Sequence, residues 1–342
     1  MDPKFRCPNC DVKIQADEKL GGQEVICPSC KTSVVVPKIS FQVGEIIAGF
    51  RLEEWIGSGS MGEVYRATQI SMDRDVAIKI LRTDLVEDDE NIDRFVNEVR
   101  ILARLDHSNI VTAFEAGEHE GHYFLAMTFV SGENLDERLL REKQLPEKEM
   151  LEVTLKIAEA LRYAWDRFQI LHRDIKPSNI MLDGDDDEVR LTDMGISLRA
   201  GEELDPSQKG FVIGTPYYMS PEQASAREDL DFRADMYSLG TTLYHLVTGQ
   251  VPHDADDPTA IMVKSINVDV PDPRAIRPEL SDETCYIIRK MTKRQREDRY
   301  ASWEELIGDL KFAIAGGKRK KKKRRKAPIV TTNASGIPIV EE

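Results

Sequence analysis

The sequence predicts an α+β chain of two lobes, a small sheet-rich one with one helix and a larger, mainly helical one, behind a small cysteine-bracketed module. Three observations predict it. From Phe50 to Ile80 apolar and polar residues alternate among β-branched types, the pattern of strands. Over 91–105 the period changes to three and four, through Ile92, Phe95, Val96, Val99, Leu102 and Leu105. Beyond residue 230 helical spacing dominates to near Ala315. A chain of 342 residues has room for about two ordinary domains at roughly 150 residues each.

The module comes first. Cys7-Pro-Asn-Cys10 and Cys27-Pro-Ser-Cys30 are two brackets separated by 16 residues. Two residues between thiolates aim both sulfurs at one tetrahedral ion, and two such knuckles close a four-thiolate site. Disulfides are the alternative reading, but nothing directs the chain to an oxidising compartment. Four protein ligands leave no open position, so zinc here would fold the module rather than catalyse. The pattern resembles a zinc ribbon, expected over 1–37, whose binding partner the residues do not name. The fifth cysteine, Cys285, lies in an apolar-patterned run and reads as a core thiol.

A linker over 38–47 leads to the sheet, with turns at 57–62 and 71–74. Strands are expected at 110–116 and 122–130. Pro146 opens a long helix striped by Met150, Val153, Ile157, Leu161, Trp165 and Phe168. The globular part is expected over 48–315 and a disordered tail over 316–342. The tail carries nine consecutive basic residues at 318–326, so the rest of the chain is more acidic than its formal net charge of -14. So acidic a body excludes nucleic-acid binding through its whole surface. The basic run is expected either to stay solvated, to touch an anionic membrane surface or nucleic acid, or to dock on an acidic partner or on the chain's own acidic body. No apolar run approaches the ~18 residues of a membrane span, and the first residues carry no apolar secretory core. A cytoplasmic location, peripheral at most to the membrane, is therefore expected.

The chemistry-bearing residues follow in order. Gly57, Gly59 and Gly62 form a GxGxxG turn. Dinucleotide-binding folds share that pattern, but there it opens a helix, whereas here a strand signature follows Gly62. Glycines between paired strands make a flap whose N–H groups approach phosphate closely, with Val64 over the adenine. Lys79 ends the strand Val76-Ala77-Ile78-Lys79, placed for phosphate, and Glu98 on the helix is its expected counterion. The acids 87–90 precede the apolar stripe and read as solvated. His172-Arg173-Asp174-Ile175-Lys176-Pro177-Ser178-Asn179 offers a proton acceptor and, five residues on, an amide oxygen for a metal. Asp193, at the end of a strand, is a natural Mg²⁺ ligand. Asp183, Asp185, Asp186 and Asp187 read as a solvated hairpin tip.

Together these residues, with GTPYYMSPEQ at 214–223 and DMYSLG at 235–240, resemble a eukaryotic-type (Hanks-type) Ser/Thr protein kinase of the kind bacteria also carry. The resemblance implies the two-lobed kinase fold, ATP and Mg²⁺ as cofactors, and transfer of the γ-phosphoryl group to Ser or Thr of protein substrates. It implies that Lys79 holds the α/β-phosphates and pairs with Glu98, that Asp174 serves the acceptor hydroxyl, and that Asn179 and Asp193 hold Mg²⁺. Lys176 would neutralise the transferring group, and Thr215 would fix Asp174. Ile56, Val64, Ala77 and Met127 would surround adenine, with backbone groups near Thr128 and Val130 at the hinge. Glu222 would pair with Arg299, and Asp235 would brace the catalytic loop. Met194 stands where the family's DFG triplet has Phe, which leaves the metal ligand intact. Arg173 beside Asp174 would be satisfied by phosphate, and Ser207 is the expected autophosphorylation site. Two rivals are weighed: a catalytically silent scaffold of the same fold, against which Lys79, Asp174, Asn179 and Asp193 all stand, and a small-molecule phosphotransferase, against which Lys176-Pro177 and 214–223 stand. A homodimer is left open.

Overall fold

The computed structural model describes the chain except 1–3, 8, 11, 37–40, 59–61, 82–88, 185–187, 194–197, 200–214, 256, 319–328, 333–337 and 342. Gly59, Met194, Ser207 and most of the basic run therefore lie outside the described residues, as does the side chain of Glu98.

The N-terminal module is two hairpins, β1 (Lys4–Arg6) with β2 (Lys13–Gln15) and β3 (Glu24–Ile26) with β4 (Ser33–Val35). Each knuckle closes alike: the Cys7 N–H donates to Val12 O and the Cys27 N–H to Thr32 O, both at 2.9 Å. Its core is small, Phe5, Ile14, Val34 and Val36 around the buried Cys7 and Cys27. That is too little apolar material to fold a segment of this length unaided.

β5 (Ile46–Ile47), β6 (Phe50–Ser58), β7 (Gly62–Gln69) and β8 (Arg74–Leu81) form the antiparallel sheet that alternation predicts. The expected helix is α1 (Asp89–Leu102). The next two strands are β9 (Ala113–His119) and β10 (His122–Thr128), so the first sits about three residues later than expected. The reason is twofold. β9 is an edge strand exposed along nearly all its length, so it carries no alternation. The turn that ends it, Glu120-Gly121, has positive φ at both residues, a tight hairpin geometry that favours Gly. Among the described residues the sheet runs β2-β1-β6-β7-β8-β10-β9, with β5 beside β6. One face packs Phe50, Leu52, Tyr65, Ile78, Ile80 and Phe124. Leu81 and Leu125 face α1 through Phe95 and Leu102.

The large lobe follows: β11 (Glu133–Asn134), α2 (Leu135–Glu142), α3 (Glu147–Phe168), β12 (Ile170–Leu171), β13 (Ile180–Leu182), β14 (Val189–Leu191), β15 (Leu198–Arg199), α4 (Pro221–Ala224), α5 (Arg233–Thr248), α6 (Pro258–Asn267), α7 (Asp282–Met291) and α8 (Trp303–Ile314). Pro146 is the N-cap of α3, and four residues of the predicted stripe, Met150, Val153, Ile157 and Leu161, are buried. α3, α5, α7 and α8 share one core that includes Cys285, a buried thiol pushed up to about 11 by burial. That is the inert core cysteine expected.

Two expectations change. Asp183 is not solvated: it is 8% exposed, and its carboxylate accepts from Arg190 Nε at 3.0 Å and Ser131 Oγ at 3.1 Å. A run of Asp hid the one whose partners are an arginine on the opposite strand and a distant serine. Within the tail, expected to be disordered, 329–332 and 338–341 pair as antiparallel strands β16 (Ile329–Thr332) and β17 (Pro338–Glu341). Their β-branched Ile and Val suit strands, although a lone hairpin is only marginally stable in water. No described helix is long and apolar enough to cross a membrane.

Candidate active site between the lobes

Three elements bring the site together. The segment 172–179 leaves β12, β14 ends just before Asp193, and β8 carries Lys79 across from the small lobe. The lobes are tied directly: Leu191 N–H donates to Asn109 O at 2.9 Å, and Val111 N–H to Leu191 O at 3.1 Å.

Asp174 is the best-anchored carboxylate of the cleft, its side chain 12% exposed. Oδ1 accepts from the Thr215 N–H at 3.1 Å and from Thr215 Oγ1 at 2.9 Å. Oδ2 meets Lys176 Nζ at 2.9 Å, and Lys176 Nζ also donates to Thr215 Oγ1 at 2.8 Å. Asn179 Nδ2 donates to Asp174 O at 2.9 Å, which leaves the amide oxygen turned to other work. Asp174, Lys176, Asn179 and Thr215 are thus one hydrogen-bonded cluster.

Its backbone is held from behind. The buried Asp235 accepts the N–H groups of His172 and Arg173, each at 2.8 Å. Burial pushes the Asp235 carboxyl up, opposed by His172 and those two N–H groups. His172 Nδ1 accepts from the Asp174 N–H at 3.3 Å, so the proton sits on Nε2, which donates to Thr192 O at 3.0 Å. Gln223 Nε2 donates to Arg173 O at 2.9 Å. Glu222, in α4, forms a two-pronged pair with Arg299 at 2.5 and 2.8 Å, both residues buried. Arg173 is 7% exposed, and its Nε finds no hydrogen-bond acceptor among the described residues. Burial holds its guanidinium below its usual basicity.

Across the cleft, Lys79 is 7% exposed and its Nζ lies 3.4 Å from Asp193 Oδ1. The Asp193 side chain is itself exposed, and Lys79 stands first among the causes that hold its carboxyl below the usual range. The expected Glu98 lies on α1, beside the buried Phe95, but its side chain is outside the described residues. Register puts Val64, Ala77, Lys79, Leu125 and Met127 on one face of the sheet: Val64 and Leu125 flank Lys79, and Met127 flanks Ala77. Ile56 and Gly57 lie on the adjoining β6. Gly62 is required by contact, since a Cβ there would meet Ile80 O at 2.5 Å. At the hinge the Thr128 N–H already donates to Thr112 O at 2.9 Å, so the carbonyl is the group it can offer.

The cysteine cluster fits a metal. Sγ atoms lie 3.6 Å apart for Cys7 and Cys30 and 3.7 Å for Cys10 and Cys27, and all four fall within 4.8 Å of one another. A tetrahedron with Zn–S near 2.3 Å has edges of about 3.8 Å. Against burial, which opposes it, the Thr32 hydroxyl and Asn9 amide pull Cys30 down to about 5. Burial pushes Cys10 up to about 12.

Sequence reasoning missed Gln223 as the holder of the Arg173 carbonyl and Asn109 as a lobe tie. No local signal marks either, because each acts on backbone distant in the chain.

The protein-family description "Protein kinase domain" matches residues 50–309. Among curated proteins, the serine/threonine-protein kinase pkn3 of Myxococcus xanthus is 35% identical over 285 residues, 80% of this chain and 52% of the relative. PrkC of Bacillus subtilis is 35% identical over 272 residues, 79% of this chain and 41% of the relative. The chain thus spans about half or less of the length of these relatives. Among solved structures, the PknI kinase domain of Mycobacterium tuberculosis matches with a TM-score of 0.63 at 28% identity, covering 81% of this chain and all of that one. With the family's motif residues converging on one cleft and the domain matched over most of the sequence, the chain belongs to the protein kinase domain family of bacterial Hanks-type Ser/Thr kinases.

Proposed function

We propose that the chain transfers the γ-phosphoryl group of ATP to Ser and Thr hydroxyls of proteins. One observation carries the reading: a carboxylate held on both oxygens by Thr215 and Lys176 faces a lysine–aspartate pair across the cleft between the lobes. Phosphoryl transfer asks little covalent chemistry of the protein, so positioning and charge stabilisation do most of the catalysis. Asp174 orients the acceptor hydroxyl and receives its proton. Lys176, already beside Asp174, balances negative charge on the transferring group. Lys79 holds the nucleotide phosphates. Asn179, through its amide oxygen, and Asp193 hold Mg²⁺, which shields the phosphate charge when bound. Ile56, Val64, Ala77 and Met127 enclose the adenine, with the Thr128 carbonyl and Val130 backbone at its polar edge. The four cysteines hold structural Zn²⁺. Arg173, buried with an unused donor, suits a phosphate on the segment that contains Ser207. The basic run at 318–326 is suited to an anionic surface.

The test is phosphate transfer from labelled ATP to casein, with Asp174→Asn as control and phosphoamino-acid analysis of the product. Label on Ser or Thr that falls at least a hundredfold in the variant is expected. Nucleotide binding with no transfer by the parent protein would instead establish a silent scaffold, and label confined to a small molecule would establish the other rival.

A further inference from the structure

Asp174 meets an acceptor hydroxyl in a fixed direction only if both sides of its contact with Thr215 are held. One helix, α5, reaches both. On the Asp174 side it supplies Asp235, which takes the N–H groups of His172 and Arg173, and Thr242, whose Oγ1 donates to Ile175 O at 3.3 Å. On the Thr215 side the chain makes a single tight turn, Pro216–Tyr218, and the Tyr218 N–H closes it on Thr215 O at 3.1 Å. One turn of that kind has poor hydrogen-bond geometry and does not hold its own position. Tyr218 supplies the anchor: it is 7% exposed, and its hydroxyl lies 2.9 Å from His245 Nδ1 on α5. Thr241, one helical turn earlier on the same face, is the weaker tie. It has one hydroxyl proton and a nearer acceptor in Ser238 O at 3.0 Å than in Tyr218 O at 3.4 Å.

We propose that His245 is a positioning residue for phosphoryl transfer: by holding the Tyr218 hydroxyl it pins the Pro216–Tyr218 turn to α5, and so sets the Thr215 groups that aim Asp174. The proposal rests on the reading of the site as one that phosphorylates proteins. His245 acts through Tyr218 and Thr215, a relay in which each member is hydrogen-bonded to the next. The bond does not depend on the imidazole tautomer, since a bare Nδ1 accepts from the tyrosine and a protonated one donates to it. Burial pushes the His245 imidazole down to about 4, against the opposing charge of Asp136, so the tie joins two uncharged groups at neutral pH. Because α5 also holds the backbone on either side of Asp174, a turn pinned to α5 shares one frame with the carboxylate it orients. A turn released from α5 keeps Thr215 in the chain but not in register with Asp174, and misplacement of about 1 Å is enough to cost up to about a hundredfold in rate.

The test uses the full chain. The parent is compared with His245→Phe and Tyr218→Phe, which keep a ring but remove the bond, with the two combined, and with His245→Asn, whose amide offers both a donor and an acceptor near the place of Nδ1. Each is assayed for kcat and KM with casein and with ATP, and for amide exchange over 215–219. Each Phe variant is expected to lower kcat on casein about tenfold, a loss of about 1.4 kcal/mol in the transition state, and to speed exchange over 215–219. KM for ATP should stay within about twofold, because the nucleotide face bearing Val64, Ala77 and Lys79 belongs to the other lobe. The combined variant should lose no more than the worse single one, since both remove the same bond. His245→Asn should restore kcat to within about threefold of the parent, which a residue that merely fills space would not do. A casein kcat within about twofold of the parent in His245→Phe overturns the proposal, as does a loss that Asn leaves unrestored or that adds in the combined variant. Absence of transfer by the parent would sink the phosphorylation reading instead, and unchanged exchange over 215–219 in both Phe variants would overturn the positioning role whatever the activity.

Discussion

The pair Glu222–Arg299 offers the clearest quantitative test, because both charges are out of water. The Arg299 side chain is fully buried and that of Glu222 is 5% exposed. Arg299 also donates to Lys293 O and Arg233 O, each at 2.7 Å, and to Arg294 O at 3.2 Å. Removing one member of a buried ion pair leaves an unpaired charge and costs about 3–5 kcal/mol. Arg299→Met should lie at the upper end, since it strands a carboxylate and three carbonyls. Glu222→Gln should lie at the lower end, since it keeps shape and an acceptor. A domain of this size loses about 2–4 °C of melting temperature per kcal/mol, so the losses should fall between about 6 and 20 °C. The double variant should cost less than the two single variants added, because the residues act as one unit. Differential scanning calorimetry of the four proteins measures this cycle. Activity gives a second readout: Gln223, next to Glu222, holds the Arg173 carbonyl, so loosening α4 should lower kcat on protein acceptors more than it raises KM for ATP. An Arg299→Met protein that melts within about 2 °C of the parent would refute the idea that this buried pair anchors α4.

Two further outcomes follow from close contacts. Gly62→Ala places a methyl against the Ile80 carbonyl, and the strand must shift to admit it. A rise of about tenfold in KM for ATP with a stability loss of about 1–3 kcal/mol is expected, and normal nucleotide affinity by calorimetry would contradict it. Lys79→Met should return the Asp193 carboxyl toward the ordinary value of about 3.9, read by ¹³C NMR titration of labelled aspartate. Because the folded carboxyl is the stronger acid, its stabilising share is complete above the unfolded value and is lost as pH falls through the depressed folded value. The parent should therefore lose more stability than Lys79→Met on acidification below about pH 4, and equal losses would refute the pairing.

The parts of the site that a reader of the sequence can find are those packed into short stretches. Asp174, Lys176 and Asn179 fall within six residues, and their order fixes which side chains can meet. The strands β6 to β8 declare themselves because one face is buried and the other is not, which writes alternation into the residues. β9 does not, because an exposed edge imposes no pattern. Asp183 was obscured by its neighbours: composition says an acidic tip is wet, whereas pairing with Arg190 depends on the strand that returns beside it. The seating of the ribbon against Ser58 was equally hidden, since a one-residue strand contact between distant segments leaves no periodic trace.

The backbone at the catalytic loop explains why so many remote groups converge there. Arg173 has φ of 69° and Asp193 has φ of 60°, left-handed values that cost a side-chain-bearing residue roughly 1–2 kcal/mol. Such conformations persist where surrounding contacts over-determine them. At Arg173 the constraint is explicit on both sides of the Cα: its N–H is taken by Asp235 and its carbonyl by Gln223. Those two bonds come from α5 and α4, elements of the helical lobe whose own positions are set by its core and by Glu222–Arg299. The loop therefore turns where the large lobe makes it turn, and the turn carries Asp174 to Thr215 and Lys176. A carboxylate on an unconstrained loop would lose that alignment to thermal motion. Here the strain is offset by fully satisfied backbone, and the helical lobe spends part of its stability on aiming one side chain.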